Sequence, residues 1–291
     1  MEIRPMVEAD VEQATRAQVA AFAVLYPDDP EITTPPDAAR LARMQHRFHH
    51  FLTHDPGGAW AAVENDRVVG AALALRRGDL WGLSLLHVDP TAQSTGIGRK
   101  LLDAALTYAD GSARSFILST HDPRAMRLYA TSGFNTYPQL DAEGPIDATA
   151  LPGPDARVRP GSVADIDFAD DVDLVVRGAP HGPDQRWLAD EFTMYVVDEA
   201  DGGRGYAYVR GNTLVTTLAA TDEDTASALL WHCLGQISQA GKPASIYHLN
   251  AEQQWAIRIA YRARLSVTPA GPAYWRGGTP PKCYLPSGAF L

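Results

Sequence analysis

Gln93-x-x-Gly96-x-Gly98 stands between an apolar run and an amphipathic run in the stretch LLHVDPTAQSTGIGRKLL. The start of a helix presents unpaired backbone N–H groups and a partial positive charge. Glycines at 96 and 98 remove side chains that would hold a phosphate away. A pyrophosphate can then rest on the N–H groups of Ser94, Thr95, Gly96, Ile97, Gly98 and Arg99, with Arg99 and Lys100 adding charge. The alternative is that the two glycines only make a tight entry turn. The other common phosphate loops are absent: there is no GxxxxGK[ST], and no GxGxxG followed by an acidic residue about 20 positions on. A second chemical group lies downstream in AMRLYATSGF. Tyr129 offers a phenol that stays protonated at neutral pH. From its helix alone, Tyr129 reads equally as an amphipathic core residue.

The two stretches together resemble the GNAT superfamily of acyl-CoA-dependent N-acyltransferases. HVDPTAQSTGIGRKLL is similar to that family's Q/R-x-x-G-x-G/A motif, and AMRLYATSGF to its A-x-x-L-Y-x-x-x-G-F motif. The resemblance covers residues 1 to about 140 and extends to the second half in element order only. It implies a splayed sheet whose wedge holds the pantetheine of acetyl-CoA, pairing with backbone at Leu86, His87 and Val88. It also implies Gln93 through Lys100 as the diphosphate site, Tyr129 as general acid, and direct attack by a small primary amine. A backbone donor at the oxyanion is worth about 3 kcal/mol in such chemistry. No metal is implied. A non-catalytic acyl-CoA sensor or scaffold, or a protein-lysine acetyltransferase, remains as an alternative. The family often has Asn where this chain has Asp122, which reads better as a helix cap.

The general base is open. The strand LWGLSLLHV offers Gly82, Ser84 and His87 but no carboxylate. Alternation places Ser84 with Leu86 and Val88, and His87 on the opposite face. His46, His49, His50 and His54 share a helix, and solvated or packing roles, an acceptor-site role and a metal site are all open to them.

These groups need a scaffold. VEADVEQATRAQVAAFA and DAARLARMQHRFHHFL have helical spacing, while AWAAVEN, RVVGAALAL and LWGLSLLHV read as strands, the last apolar on both faces. A helix from GIGRKLL, the strand SFILS and the helix PRAMRLYATSG follow. Residues 141–156, rich in Pro, Gly, Ala and Asp, read as a linker. The order then repeats through TMYVVDE, GYAYVRG, TLVTTLAA, a helix, ASIYHL and a last helix. IRPMVEADV and VRPGSVADI align Arg4 with Arg159, Pro5 with Pro160, and Asp10 with Asp165. The expectation is an α/β (α+β) chain of two GNAT-like domains, each a central mixed, splayed β-sheet flanked by helices. Residues 1–140 form the catalytic domain and 157–291 a degenerate copy with a structural or acceptor-pocket role.

The copy lacks the chemistry. It has ATDEDTASALL in place of the glycine loop, and Ala260 in place of Tyr129. RGAPHGPDQRW, with Arg177, His181 and Asp184, is a polar candidate for an acceptor wall, or a surface loop. The role of the apolar end YLPSGAFL is open; docking that brings Leu291 toward an acceptor cleft is one reading. The net charge of −10 argues against a nucleic-acid partner. No apolar run is long enough for a membrane span and no export signal is found. Two cysteines form no disulfide framework, which suits a cytoplasmic protein. The oligomeric state is open.

Overall fold

Alternating and continuous apolar runs in the first half form strands because each has a face, or two, to hide. The computed structural model describes residues 1–199 and 202–291. They divide into two compact units, Met1–Ile117 with Asp122–Ser132, and Leu118–His121 with Gly133–Leu291.

In the first unit the sheet runs in the order β1 (Glu2–Pro5), β2 (Ala59–Glu64), β3 (Arg67–Arg77), β4 (Leu80–Val88), β5 (Arg114–Leu118). The β2–β3 turn uses Asn65 and Asp66, both with left-handed φ. β3 is buried at nearly every position, as expected of a strand covered on both faces. Helices α1 (Val11–Leu25), α2 (Pro30–Thr33) and α3 (Ala38–His54) precede β2, α4 (Ile97–Leu106) joins β4 to β5, and α5 (Pro123–Thr131) follows. Asp29, Asp37 and Asp122 cap α2, α3 and α5 by accepting first-turn N–H groups.

β4 pairs parallel with β5 only from Leu80↔Arg114 to Leu83↔Ile117. Beyond Leu83 the edge of β4 that faced β5 is no longer paired by it. Against β3 the register slips at the same place, with Ala74↔Leu83 followed by Leu73↔Leu85. Ser84 is therefore the extra residue of a bulge, and the phase of the side chains changes there.

In the second unit the order is β12 (Ser266–Arg276), β6 (Asn135–Gly144), β11 (Ala244–Leu249), β10 (Leu214–Ala220), β9 (Arg204–Arg210), β8 (Thr193–Asp198), β7 (Arg159–Pro160), with β13 (Tyr284–Leu285) also on β10. Helices α6 (Ile166–Val176), α7 (Pro183–Glu191), α8 (Glu223–Gln239) and α9 (Gln254–Arg262) complete it. The helices supply Leu229, Leu234, Ile237, Trp255 and Ile259 to a core shared with Val209, Leu218 and Ile246. Strand β6 runs through residue 140, where the catalytic domain was expected to end, and into the expected linker. Its backbone is committed to β11 and β12.

The repeated Arg and Asp have the same job in both units. Arg4 forks onto both oxygens of Asp10 at 2.7 and 2.8 Å, and Arg159 donates to Asp165 at 2.6 Å. Each Asp also accepts the N–H three residues before it, from Val7 or Ser162. The pair clasps the end of the first strand of its unit to the turn that starts the next helix. Among the described residues no helix is long and apolar enough to cross a membrane.

Candidate active site

The loop after β4 is built by local hydrogen bonds. Asp89 accepts from the N–H of Thr91, and Thr95 Oγ1 donates to the Ala92 carbonyl at 2.7 Å. Gln93 Nε2 donates to the Val88 carbonyl at 3.0 Å, tying the loop back to its strand. Ser94 and Gly96 take left-handed φ values of 64° and 84°. Gly96 is the N-cap of α4 and supplies no capping side chain. The N–H groups of Ile97, Gly98 and Arg99 thus open the helix without an intrahelical acceptor.

Gly98 is not demanded by packing. A Cβ there would find its nearest atoms in Leu128, Leu86 and Val88, at 3.9 to 4.0 Å, which is ordinary contact. The lack of a side chain at Gly98 leaves the space at the start of the helix accessible, as a cradle for a phosphate group requires. Arg99 does not point into that space. Its guanidinium donates to Ser132 Oγ at 2.8 Å and Thr131 Oγ1 at 2.9 Å, on α5. Lys100 is exposed one residue further on. A cation that sequence reasoning missed, Arg124, reaches Gln93 Oε1 at 2.5 Å while pairing with Asp122. Its only sequence signal is its place at the start of a helix beside the second motif.

The three expected pantetheine contacts are not equivalent. The Asp89 N–H donates to Val69 on β3 at 2.8 Å. Alternation then turns the backbone of His87 toward β3, and that of Leu86 and Val88 toward the edge that β5 has left. His87 is corrected accordingly: its backbone lies on the paired edge, and its ring packs edge-on against Phe48 of α3 with centroids 6.5 Å apart. Burial pushes the His87 imidazolium down to about 4, so the ring is neutral at pH 7.

Ser84 also departs from expectation. Its Oγ accepts from Arg47 of α3, so it shares a face with His87 and not with Leu86 and Val88, which lie toward Gly98. The bulge residue explains the reversal, because one extra residue inverts the alternation after it. Tyr129 is buried on α5, next to Leu128 of the Gly98 contact.

Of the histidines of α3, His50 and His54 have ring centroids 4.6 Å apart. His46 and His54 are exposed, His50 is buried, and His49 Nδ1 lies 3.0 Å from Glu8. Among the described residues no group of three or more His, Cys, Asp or Glu is placed to hold a metal.

The corresponding places in the second unit are closed. Asp222 caps α8 with its own carboxylate, accepting from the Thr225 N–H at 2.8 Å, with Glu223 and Asp224 beside it. β10 pairs with β11 only at Leu214 and Val215, a splay like that of β4 from β5. Here β13 occupies the freed edge: Leu285 pairs with Leu218, Tyr284 with Ala219, and Thr217 Oγ1 donates to the Leu285 carbonyl at 2.9 Å. Tyr284 Oη donates to the Leu291 carbonyl at 2.6 Å, and Phe290 and Leu291 are buried. Arg177, His181 and Asp184, read from sequence as a candidate acceptor wall, are buried in this unit. His181 Nδ1 lies 2.6 Å from Asp173, which also accepts from Tyr206.

A bulged, splayed strand followed by a glycine loop and an uncapped helix start is the arrangement expected from the sequence resemblance. Residues 18–134 match the Acetyltransferase (GNAT) family. Over these residues the chain is similar to the GNAT acetyltransferases. Among curated proteins it is similar to a mycothiol acetyltransferase of Clavibacter michiganensis subsp. michiganensis. The two are 29% identical over 251 residues, covering 77% of this chain and 82% of the other. A solved structure of a candidate acetyltransferase from Pyrococcus horikoshii aligns with a TM-score of 0.75 at 15% identity, over 99% of this chain and 95% of its own. A tandem GNAT protein from the clavulanic acid biosynthesis pathway aligns with a TM-score of 0.58 at 15% identity, over 96% and 99%. At such identities the solved structures share the fold.

Proposed function

We propose that the first unit transfers acetyl from acetyl-CoA to a small primary amine by direct attack. The observation that carries this reading is the continuous path from the open edge of β4, past Leu83, to the uncapped start of α4. The diphosphate rests on N–H groups between Ser94 and Arg99, and the pantetheine lies along Leu86 and Val88. A strand N–H donor beside the bulge receives the developing oxyanion, which favours the tetrahedral transition state over the planar thioester.

The amine nitrogen forms its bond to the carbonyl carbon and loses a proton. Collapse of the tetrahedral species breaks the C–S bond, and Tyr129 returns a proton to the departing thiolate. With His87 neutral and poorly basic, and no carboxylate on β4, the attacking amine loses its proton to water. The curated relative named for mycothiol supports a small-molecule acceptor. The test is release of free CoA thiol from acetyl-CoA across a diverse amine panel. Turnover with at least one small amine is expected. Tight acetyl-CoA binding without turnover of any amine would instead make the chain an acyl-CoA sensor.

A further inference from the structure

Arg47 is an arginine out of keeping with its neighbours. In this chain of net charge −10, three other buried or half-buried arginines pair with carboxylates. Arg77 forks onto Asp55, Arg4 onto Asp10, and Arg157 pairs with Asp155 and Asp224. Arg47 has no carboxylate within ion-pair distance among the described residues. Its Nη2 donates to the carbonyl oxygen and Oγ of Ser84, both neutral, and its Nε has no acceptor. Protein encloses the side chain on nearly every side while part of its surface stays accessible. Burial lowers its pKa to about 10, so the guanidinium still carries its charge at pH 7. An enclosed cation without an anionic partner costs several kcal/mol, a cost that a bound anion would offset.

The place of this charge matters as much as its isolation. Ser84 is the bulge at which β4 parts from β5. Gly98, Leu86 and Val88 lie toward one face of the sheet, Arg47, Ser84 and His87 toward the other. From Val88 to Ser84 is about 13 Å at the rise of a strand. A thioester delivered along that edge arrives at the guanidinium.

We infer that Arg47 is the binding point for a carboxylate brought to the reacting end of the site, which rests on the acyl-transfer reading above. A guanidinium with Nη2 already fixed presents a planar, oriented donor set, which suits a carboxylate better than a lysine would. The carboxylate arrives either on the acceptor amine or on the acyl group of a dicarboxylic thioester, and two arms of one experiment separate these sources.

In the first arm, free-CoA release from acetyl-CoA is measured on the full chain with β-alanine against β-alaninamide, and 4-aminobutyrate against 4-aminobutyramide. In the second, succinyl-CoA is compared with acetyl-CoA on the neutral amides. The expected result is a preference of at least tenfold in kcat/KM for the carboxylate in one arm, expressed mainly in KM. R47Q should bring that ratio close to one, and R47K, which keeps the charge without the fork, should leave it intermediate. A merely structural Arg47 would lower both members of a pair alike. Ratios near one in both arms of the wild type overturn the inference alone, whatever the variants' folding, as does an undiminished ratio in R47Q. Absence of free CoA with every amine and both thioesters overturns the acyl-transfer reading, and the inference with it.

Discussion

At the scale of single residues, the proposed reading assigns chemistry and binding to different residues, and two substitutions test the separation. Tyr129→Phe removes a proton donor while keeping the ring that fills a buried position. We expect kcat to fall by about 10²-fold, within the range of general acid catalysis, with acetyl-CoA affinity little changed. A bulky residue at the same cradle, as in Gly98→Leu, should do the opposite. A Cβ there meets protein only at ordinary contact distance, and the atoms beyond it would compete with a phosphate for the helix start. Calorimetry should report weaker acetyl-CoA binding, with kcat at saturating acetyl-CoA less affected. Equal losses of rate and affinity in both variants would count against this division of roles. His87 is the residue whose type suggests most and whose surroundings allow least. A ring held neutral by burial, with its backbone turned to β3, serves the fold of α3 on the sheet.

At the scale of elements, the clasp between strand and turn recurs in both units and makes a pH-dependent contribution. The hydrogen bond from Arg159, with lesser help from the Ser162 N–H and opposed by partial burial, holds the Asp165 carboxyl below its ordinary range. A folded-state pKa below the unfolded value of about 3.9 adds stability above that pH, and the gain is lost as pH falls through the folded value. Because Arg159 is half exposed, the clasp is worth about 1 kcal/mol or less. Asp165→Asn should therefore unfold at lower urea than wild type at pH 7, the gap closing toward pH 3; a gap constant with pH would contradict the ionic account. The clasp was legible in the sequence as the repeated Arg, Pro and Asp, though its role was not. The glycine loop and its helix were legible because both follow local rules. Two long strands were not. β6 carries Pro138, and β12 carries Pro269, Gly271 and Pro272, residues that argue against a central strand. Pro138, Gly271 and Pro272 are tolerated because the register between these strands shifts between Ala270 and Ala273, opposite Pro138. The bulge at Ser84 was likewise invisible, since nothing in LWGLSLLHV marks where alternation breaks. That one residue misplaced Ser84, and with it the significance of Arg47.

At the scale of the whole chain, duplication raises the question of how many acetyl-CoA molecules it takes. Both units splay a strand pair at the same point in their order, but they treat the gap differently. In the first, the edge of β4 beyond Leu83 is left by β5 and leads to a helix start with no capping side chain. In the second, the edge of β10 beyond Val215 is taken by β13, which supplies the backbone partners that a pantetheine would otherwise supply. The helix that follows is capped by Asp222, so the N–H group that would meet a phosphate already has an anion, and two further carboxylates repel another. Opening this second gap would strip β13 from β10 and expose Tyr284, Leu285, Phe290 and Leu291, all buried. Burial of each large apolar side chain is worth about 1.5–3 kcal/mol, so a ligand would have to replace most of that before binding at all. Titration calorimetry should therefore give one acetyl-CoA per chain, and a bulky residue at position 98, as in Gly98→Trp, should abolish binding without leaving a second class of site. A stoichiometry of two, or residual binding in Gly98→Trp that Asp222→Ala strengthens, would show that the second unit keeps a working cradle.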